Sequence, residues 1–181
     1  MTEHINTEIE NLALFGGKYL TFKMGNEEFG IEILRVQEIV GMMDITKLPM
    51  TYEYVRGVVN LRGVIVPTID LRMRFGMNTQ QDTEKTCIIV VELAGQNRTV
   101  KVGMVVDEVA EVLDVPSSSI QPKPSFGLSC QEDFIKCVGV VNDQVKILLD
   151  IDSVLSRDKV ESLKRIAQKV SGEKTQESVL N

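Results

Sequence analysis

The chain repeats itself, and this repeat limits the fold more than any other feature of its 181 residues. Shifted by 73 positions, Phe29-Gly30-Ile31 falls on Val102-Gly103-Met104, Val36 on Val109, Glu38 on Glu111 and Ile39 on Val112. Shifted by 80, the block from Tyr54 to Leu71 falls on Phe134 to Ile151 without a gap, so that Arg56 meets Lys136, Val58 meets Val138 and Asp70 meets Asp150. The seven residues by which the shifts differ enter between the blocks, where the second copy carries Pro116, Pro122 and Pro124. Any two valine-rich stretches align by chance, but two blocks in the same order do so less readily.

Each copy opens on a hairpin signal. Tyr19 to Met24 and Glu28 to Ile33 flank Gly25-Asn26-Glu27, and Cys87 to Leu93 and Arg98 to Val106 flank Ala94-Gly95-Gln96-Asn97, with β-branched residues rich in the arms. A short turn follows (Leu34 to Val36; Asp107 to Val109), then a strand, a loop and a second hairpin. Pro67 interrupts Val64 to Leu71, which places that strand at an edge or at a bulge, where no amide donor is needed. About five short strands per copy close most economically as a small barrel. Two barrels in one chain share a seam, and a seam is a natural binding groove. From Asp150 the period changes: Ile151, Val154, Leu155, Val160, Leu163, Ile166 and Val170 fall near helical spacing, with Lys164, Arg165 and Lys169 toward the end that favours cations. The expected organisation is a mobile tail over 1–16, an all-β body over 17–156, and a C-terminal helix with a disordered end over 157–181.

Composition excludes most chemistry. The only histidine is His4, in the acidic tail, so no Ser-His or Cys-His nucleophile and no histidine metal cluster can form within the body. Cys87, Cys130 and Cys137 form no C-x-x-C pair and read as free thiols. Net charge is −6, aromatics are 5% and tryptophan is absent, which sets the arginines at 56, 62, 72 and 74 against a nucleic-acid reading. An enzyme is the rival class. Asp70 and Asp150 are its best carboxylate pair, but they fall at equivalent ends of separate copies, where capping the turns after their strands is the expected role. No apolar run approaches eighteen residues and Met1-Thr2-Glu3-His4 lacks the pattern of a secretory signal, so a cytoplasmic protein is expected. Asn97-Arg98-Thr99 is then a chance sequon, and Gly16-Gly17-Lys18 lacks phosphate-loop spacing.

The residues also resemble a known family. Tyr19-Leu20-Thr21-Phe22, Gly25 to Ile31 and Ile33 to Ile39 look like the opening of CheW, the adaptor that couples bacterial chemoreceptors to the histidine kinase CheA. Tyr54-Val55-Arg56-Gly57-Val58-Val59-Asn60-Leu61-Arg62-Gly63 through Pro67 to Arg72 resembles the family's most distinctive stretch, and Val102 to Val109 and Ile147 to Ile151 follow in place. The resemblance covers about 18 to 156. It implies two SH3-like five-stranded β-barrel lobes sharing a hydrophobic groove, no enzymatic activity and no cofactor. It further implies binding of the receptor's cytoplasmic tip in that groove, and end-to-end packing with the CheA regulatory domain, and with further copies, into rings. Recruitment to receptor arrays follows, without nucleic acid and without direct membrane insertion.

By position, the resemblance assigns Val36, Glu38, Arg62, Gly103 and Val109 to receptor binding. It assigns Ile39, Met42 and Thr46 to a first kinase contact, and Gln121 with Phe126 to the ring-closing one. Cys137 departs from the pattern, standing where a glycine is usual. Without the family, Arg62 beside Gly63 reads as a solvated turn arginine and Val36 and Val109 as core. With it, Arg62 is expected to pair with Glu38 on a neighbouring strand and hold the groove wall. The alternatives are an SH3-like-barrel protein that binds nucleic acid and a small hydrolytic protein.

Overall fold

The computed structural model describes residues 7, 10–94, 98–123 and 134–155. The two hairpin signals become β1 (Gly17–Met24) with β2 (Glu27–Glu32), and β6 (Cys87–Ala94) with β7 (Thr99–Val106). Each is followed by a third strand, β3 (Val36–Gly41) or β8 (Glu108–Val115), and by a second hairpin, β4 (Val55–Leu61) with β5 (Val64–Asp70) or β10 (Ile135–Val141) with β11 (Gln144–Leu149). A two-residue strand, β9 (Ile120–Gln121), precedes the last hairpin. Single helical turns, α1 (Leu71–Arg74) and α2 (Ile151–Val154), close the copies, and residues 10–13 form a further helical turn.

The strands assemble into a five-stranded sheet, β3-β6-β7-β5-β4, and a six-stranded sheet, β8-β1-β2-β11-β10-β9. Each sheet takes its first hairpin from one copy and its remaining strands from the other. The exchange is seen in the parallel pairings, Thr68 with Gly103 in one sheet and Leu148 with Gly30 in the other, which the shifts of 73 and 80 carry onto each other.

This corrects the expectation of two closed SH3-like barrels. Both sheets are open, with β3 and β4 as edges of one and β8 and β9 as edges of the other. The chain leaving β3 reaches β4 only as an isolated bridge, in which Thr46 and Val58 exchange two backbone hydrogen bonds of 2.9 Å. The equivalent crossing in the other half, Gln121 with Val138, extends by Ile120 with Gly139 and so counts as the sixth strand. Alternating apolar residues fix strand number and facing, but they carry no information on whether two edges meet as a ladder. The seam expectation is corrected with it. The space between the sheets is filled by the main core, which draws on both: Leu20, Phe22 and Ile31 from one, Ile69, Ile89 and Met104 from the other, all at most 2% exposed.

Pro67 lies on an interior strand rather than an edge. It is accommodated because β5 pairs with β7 only from Thr68 onward, and the irregularity falls on β4, between Val55 and Gly57. At Gly57 (φ 142°) a Cβ would lie 2.1 Å from the Thr46 carbonyl oxygen, so the bridge requires glycine there. Its counterpart is Cys137, fully buried with Tyr19, Val115, Ile120 and Leu148. The departure from the family pattern is thus a packed side chain. Leu12 and Phe15 lie against this same cluster, and Tyr19 donates its hydroxyl proton to the Phe15 carbonyl. The C-terminal helix expected over 157–181 lies outside the described residues.

Candidate functional site

At the tip of the β4-β5 hairpin Arg62 (φ 51°) and Gly63 (φ 86°) both have positive φ, the pattern of the mirror-image two-residue turns that match strand twist. Asn60 fixes the turn by accepting the Gly63 amide at 2.8 Å. Asn142 and Asp143 form the same turn in the second copy, at φ 51° and 61°. An arginine in this region is uncommon and costs backbone energy. Its guanidinium reaches Glu38 on β3, donating from Nη2 to Oε1 at 2.6 Å and to Oε2 at 2.7 Å. The pair joins the two edges of the five-stranded sheet beside the single Thr46–Val58 bridge. Arg62 is 79% exposed, so the pair is worth only about 0 to 1 kcal/mol to stability and its effect is geometric.

Glu38 belongs to a row that crosses the sheet from Glu38 to Val90, Gly103 and Thr68. Gly103 is buried in this row. A Cβ there would meet the Ile88 Cγ2 at 2.7 Å and the Thr68 Cγ2 at 2.9 Å, so Gly103 shapes the sheet and offers no side chain to a partner. Val36 and Val109 are half-buried at the margin of the main core, on the edge strands β3 and β8. The structure therefore brings Glu38 and Arg62 into contact and sets Val36 and Val109 at equivalent margins.

Ile39 is 44% exposed on β3, and Thr46 and Gln121 are exposed at the two equivalent crossing points. Met42 lines a cleft of about 600 Å³ together with Met43, Ile45, Leu48, Val55 and Met73. Phe126 lies outside the described residues.

Sequence reasoning missed the groups that fasten the two halves. Arg72 on α1 holds Asp107, which enters β8, through two guanidinium contacts, one of 2.6 Å, and Asp107 also accepts the Gly25 amide of the β1-β2 turn at 2.8 Å. Burial pushes the Asp107 carboxyl up, but the Arg72 and Gly25 hydrogen bonds outweigh it and hold the group below its ordinary value. Arg74 lies over the rings of Tyr54 (5.5 Å) and Phe134 (5.0 Å), which are duplicate positions, and donates from Nε to the Val154 carbonyl at 2.7 Å. Burial also pushes the Lys146-bound Glu28 carboxyl up, and the Lys146 and Thr21 hydrogen bonds outweigh it. The duplication offered one signal for Tyr54 and Phe134, two aromatics at matching positions.

The described residues assemble nothing reactive. Asp70 accepts the Met73 amide and Asp150 the amides of Asp152 and Ser153, so both are helix caps as expected. Burial pushes the Cys87 thiol up and the Cys137 thiol to about 11, which disfavours the thiolate at both. No group of three His, Cys, Asp or Glu side chains among the described residues is placed to hold a metal ion. Among them, no helix is long and apolar enough to cross a membrane.

Comparison with known proteins gives one answer. The profile of the CheW-like domain matches residues 18–159. The chain is 39% identical over 153 residues to the chemotaxis protein CheW of Klebsiella aerogenes, covering 84% of this chain and 90% of that one. It is 32% identical over 153 residues to that of Rhizobium meliloti, covering 84% and 96%. Among solved structures, the scaffolding protein TtCheW from Thermoanaerobacter tengcongensis superposes with a TM-score of 0.71 at 32% identity, over 80% of this chain and 96% of that one.

Proposed function

Because the chain belongs to the CheW family of non-enzymatic chemotaxis adaptors, which couple chemoreceptors to the histidine kinase CheA, we propose that it engages these two partners through separate faces. The match over residues 18–159 carries the adaptor role. The receptor's cytoplasmic tip, a helical hairpin, docks at the margin of the sheets, where Val36 and Val109 give apolar contact and the Glu38–Arg62 pair sets the wall. Gly103 contributes by keeping the row beneath Glu38 close-packed.

The kinase's regulatory domain meets Ile39, Met42 and Thr46 on the five-stranded sheet. Gln121, at the position equivalent to Thr46, offers a matching face on the other sheet, and the family resemblance assigns Phe126, outside the described residues, to the same contact. Two equivalent faces on one chain suit alternating packing with kinase domains and further copies in rings. The adaptor acts in the cytoplasm and is recruited to membrane-associated receptor arrays through these contacts.

Reconstitution tests the reading. Added to CheA and receptor-bearing membranes, the protein restores receptor control of kinase autophosphorylation and binds no ATP itself. Saturable ATP binding, or unchanged kinase control at saturating protein, overturns it.

A further inference from the structure

The two copies agree in backbone and differ in charge at one place on their edge strands. Each strand carries one extra residue at the same point, between Val36 and Glu38 on β3 (opposite Val91 and Val90) and between Val109 and Val112 on β8 (opposite Phe22 and Leu20). A bulge of this kind re-aims the side chains around it. Glu38 and Glu111 stand at equivalent positions there, each followed by an exposed apolar residue, Ile39 at 44% and Val112 at 54%.

The two bulges are fastened differently. In the first copy Arg62, from the β4-β5 tip, holds the Glu38 carboxylate. In the second copy Asn142 takes the place of that arginine, at the same φ of 51°. The second bulge is held from within the sheet instead: the Oγ1 of the fully buried Thr21 donates to the Glu111 carbonyl at 3.1 Å and accepts from the Glu111 amide at 3.3 Å. Val90 occupies the matching position in the first copy and has no hydroxyl to do so. One geometry thus carries two charge states. Glu38 is neutralised within the chain, whereas Glu111 is exposed and no Lys or Arg among the described residues pairs with it. Its neighbour Glu108 is by contrast engaged by Lys23 at 3.8 Å and Lys85 at 3.4 Å.

We propose that Glu111 receives a basic side chain of the receptor tip, taking from the partner the cation that Arg62 supplies to Glu38. Glu111 lies two residues beyond Val109, so its carboxylate continues the margin at which the receptor docks. A helix surface that carries lysine or arginine beside an apolar residue is complementary to Glu111 and Val112 together. This contact rests on the receptor docking assigned above.

Titration of a purified chemoreceptor tip fragment with the full chain tests it. Glu111→Gln should weaken binding about three- to fivefold at low salt, and Glu111→Lys about tenfold or more. Raising the salt to about 1 M, where charges are screened beyond about 3 Å, should bring Glu111→Gln and the parent to equal affinity. The thermal midpoint of Glu111→Gln should match the parent's, because the backbone bonds to Thr21 remain. Asn142→Arg copies the first copy's pairing and should weaken binding as Glu111→Gln does, with no further loss when the two are combined. Unchanged affinity in Glu111→Lys or Asn142→Arg overturns the proposal. So does full additivity of Asn142→Arg with Glu111→Gln, and so does a Glu111→Gln loss that persists at about 1 M salt or comes with a lower midpoint, which would make the role structural. Failure of the unsubstituted protein to bind the fragment overturns the receptor docking itself and this contact with it.

Discussion

Leu148 on β11 stands so close over Gly30 on β2 that a Cβ on the glycine would come within 2.8 Å of its Cδ2. The duplicate pair, Thr68 over Gly103, gives 2.9 Å. Both contacts lie where one copy pairs in parallel with the other, so the missing side chain lets the exchanged hairpin approach. Gly30→Ala should destabilise the fold by about 1 to 3 kcal/mol through overpacking. In a double-mutant cycle read by denaturant unfolding, Leu148→Val should recover part of that loss. Strict additivity of the two changes would show that the contact does not set the spacing.

The Glu38–Arg62 pair makes an opposite kind of prediction, large for binding and small for folding. Arg62→Glu should weaken binding of a receptor-tip fragment by about 1 to 3 kcal/mol, while the unfolding free energy moves by no more than about 1 kcal/mol. The reversed pair, Arg62→Glu with Glu38→Arg, should regain part of the affinity in titration. Absence of any recovery would mean that the two side chains act separately on the partner.

Asp107 predicts an acid dependence. Its folded pKa is depressed, so its stabilising contribution is complete above the ordinary aspartate value of about 4 and is lost as pH falls below it through the depressed value. Asp107→Asn should cost about 1 to 3 kcal/mol near neutrality. The difference from the parent should shrink below about pH 4. A difference independent of pH in urea melts would show that the charge on Asp107 is not what joins the β1-β2 turn to α1.

Exposure separates Ile39 from Val36. Ile39→Asp changes a side chain 44% exposed and should shift unfolding by no more than about 0.5 kcal/mol while weakening kinase-fragment binding. Val36→Asp places a carboxylate against the margin of the main core and should lower the thermal midpoint as well as receptor binding. Equal midpoints for the two variants would move Val36 from the core margin to the open surface.

The repeat was legible because it lies in residue type at fixed spacing: the glycines Gly30 and Gly103, the aromatics Tyr54 and Phe134, the aspartates Asp70 and Asp150. The Glu38–Arg62 contact was legible only through the family resemblance, because 24 residues separate the two and the residues alone read Arg62 as a solvated turn arginine. Sheet closure and hairpin exchange were not. Val58 has the same identity and alternation whether its neighbour is a full strand or Thr46 alone, and β2 has the same pattern whether its second neighbour, beside β1, comes from its own copy or is β11. Asp107 and Arg72 escaped notice for a related reason: 35 residues separate them, and only the exchange brings α1 to the start of β8.

The exchanged hairpins also decide what the protein can be cut into. A break in the exposed stretch between α1 and β6 would separate the two copies in sequence, yet each sheet would still lack the hairpin held by the other fragment. Neither piece could bury its own core alone, while the two together retain every strand pairing described here. Such fragments should stay unfolded apart and regain the native sheets on mixing, in proportion to their concentration. Joining the two copies in one chain makes the meeting of the halves intramolecular, so that the sheets form without depending on concentration.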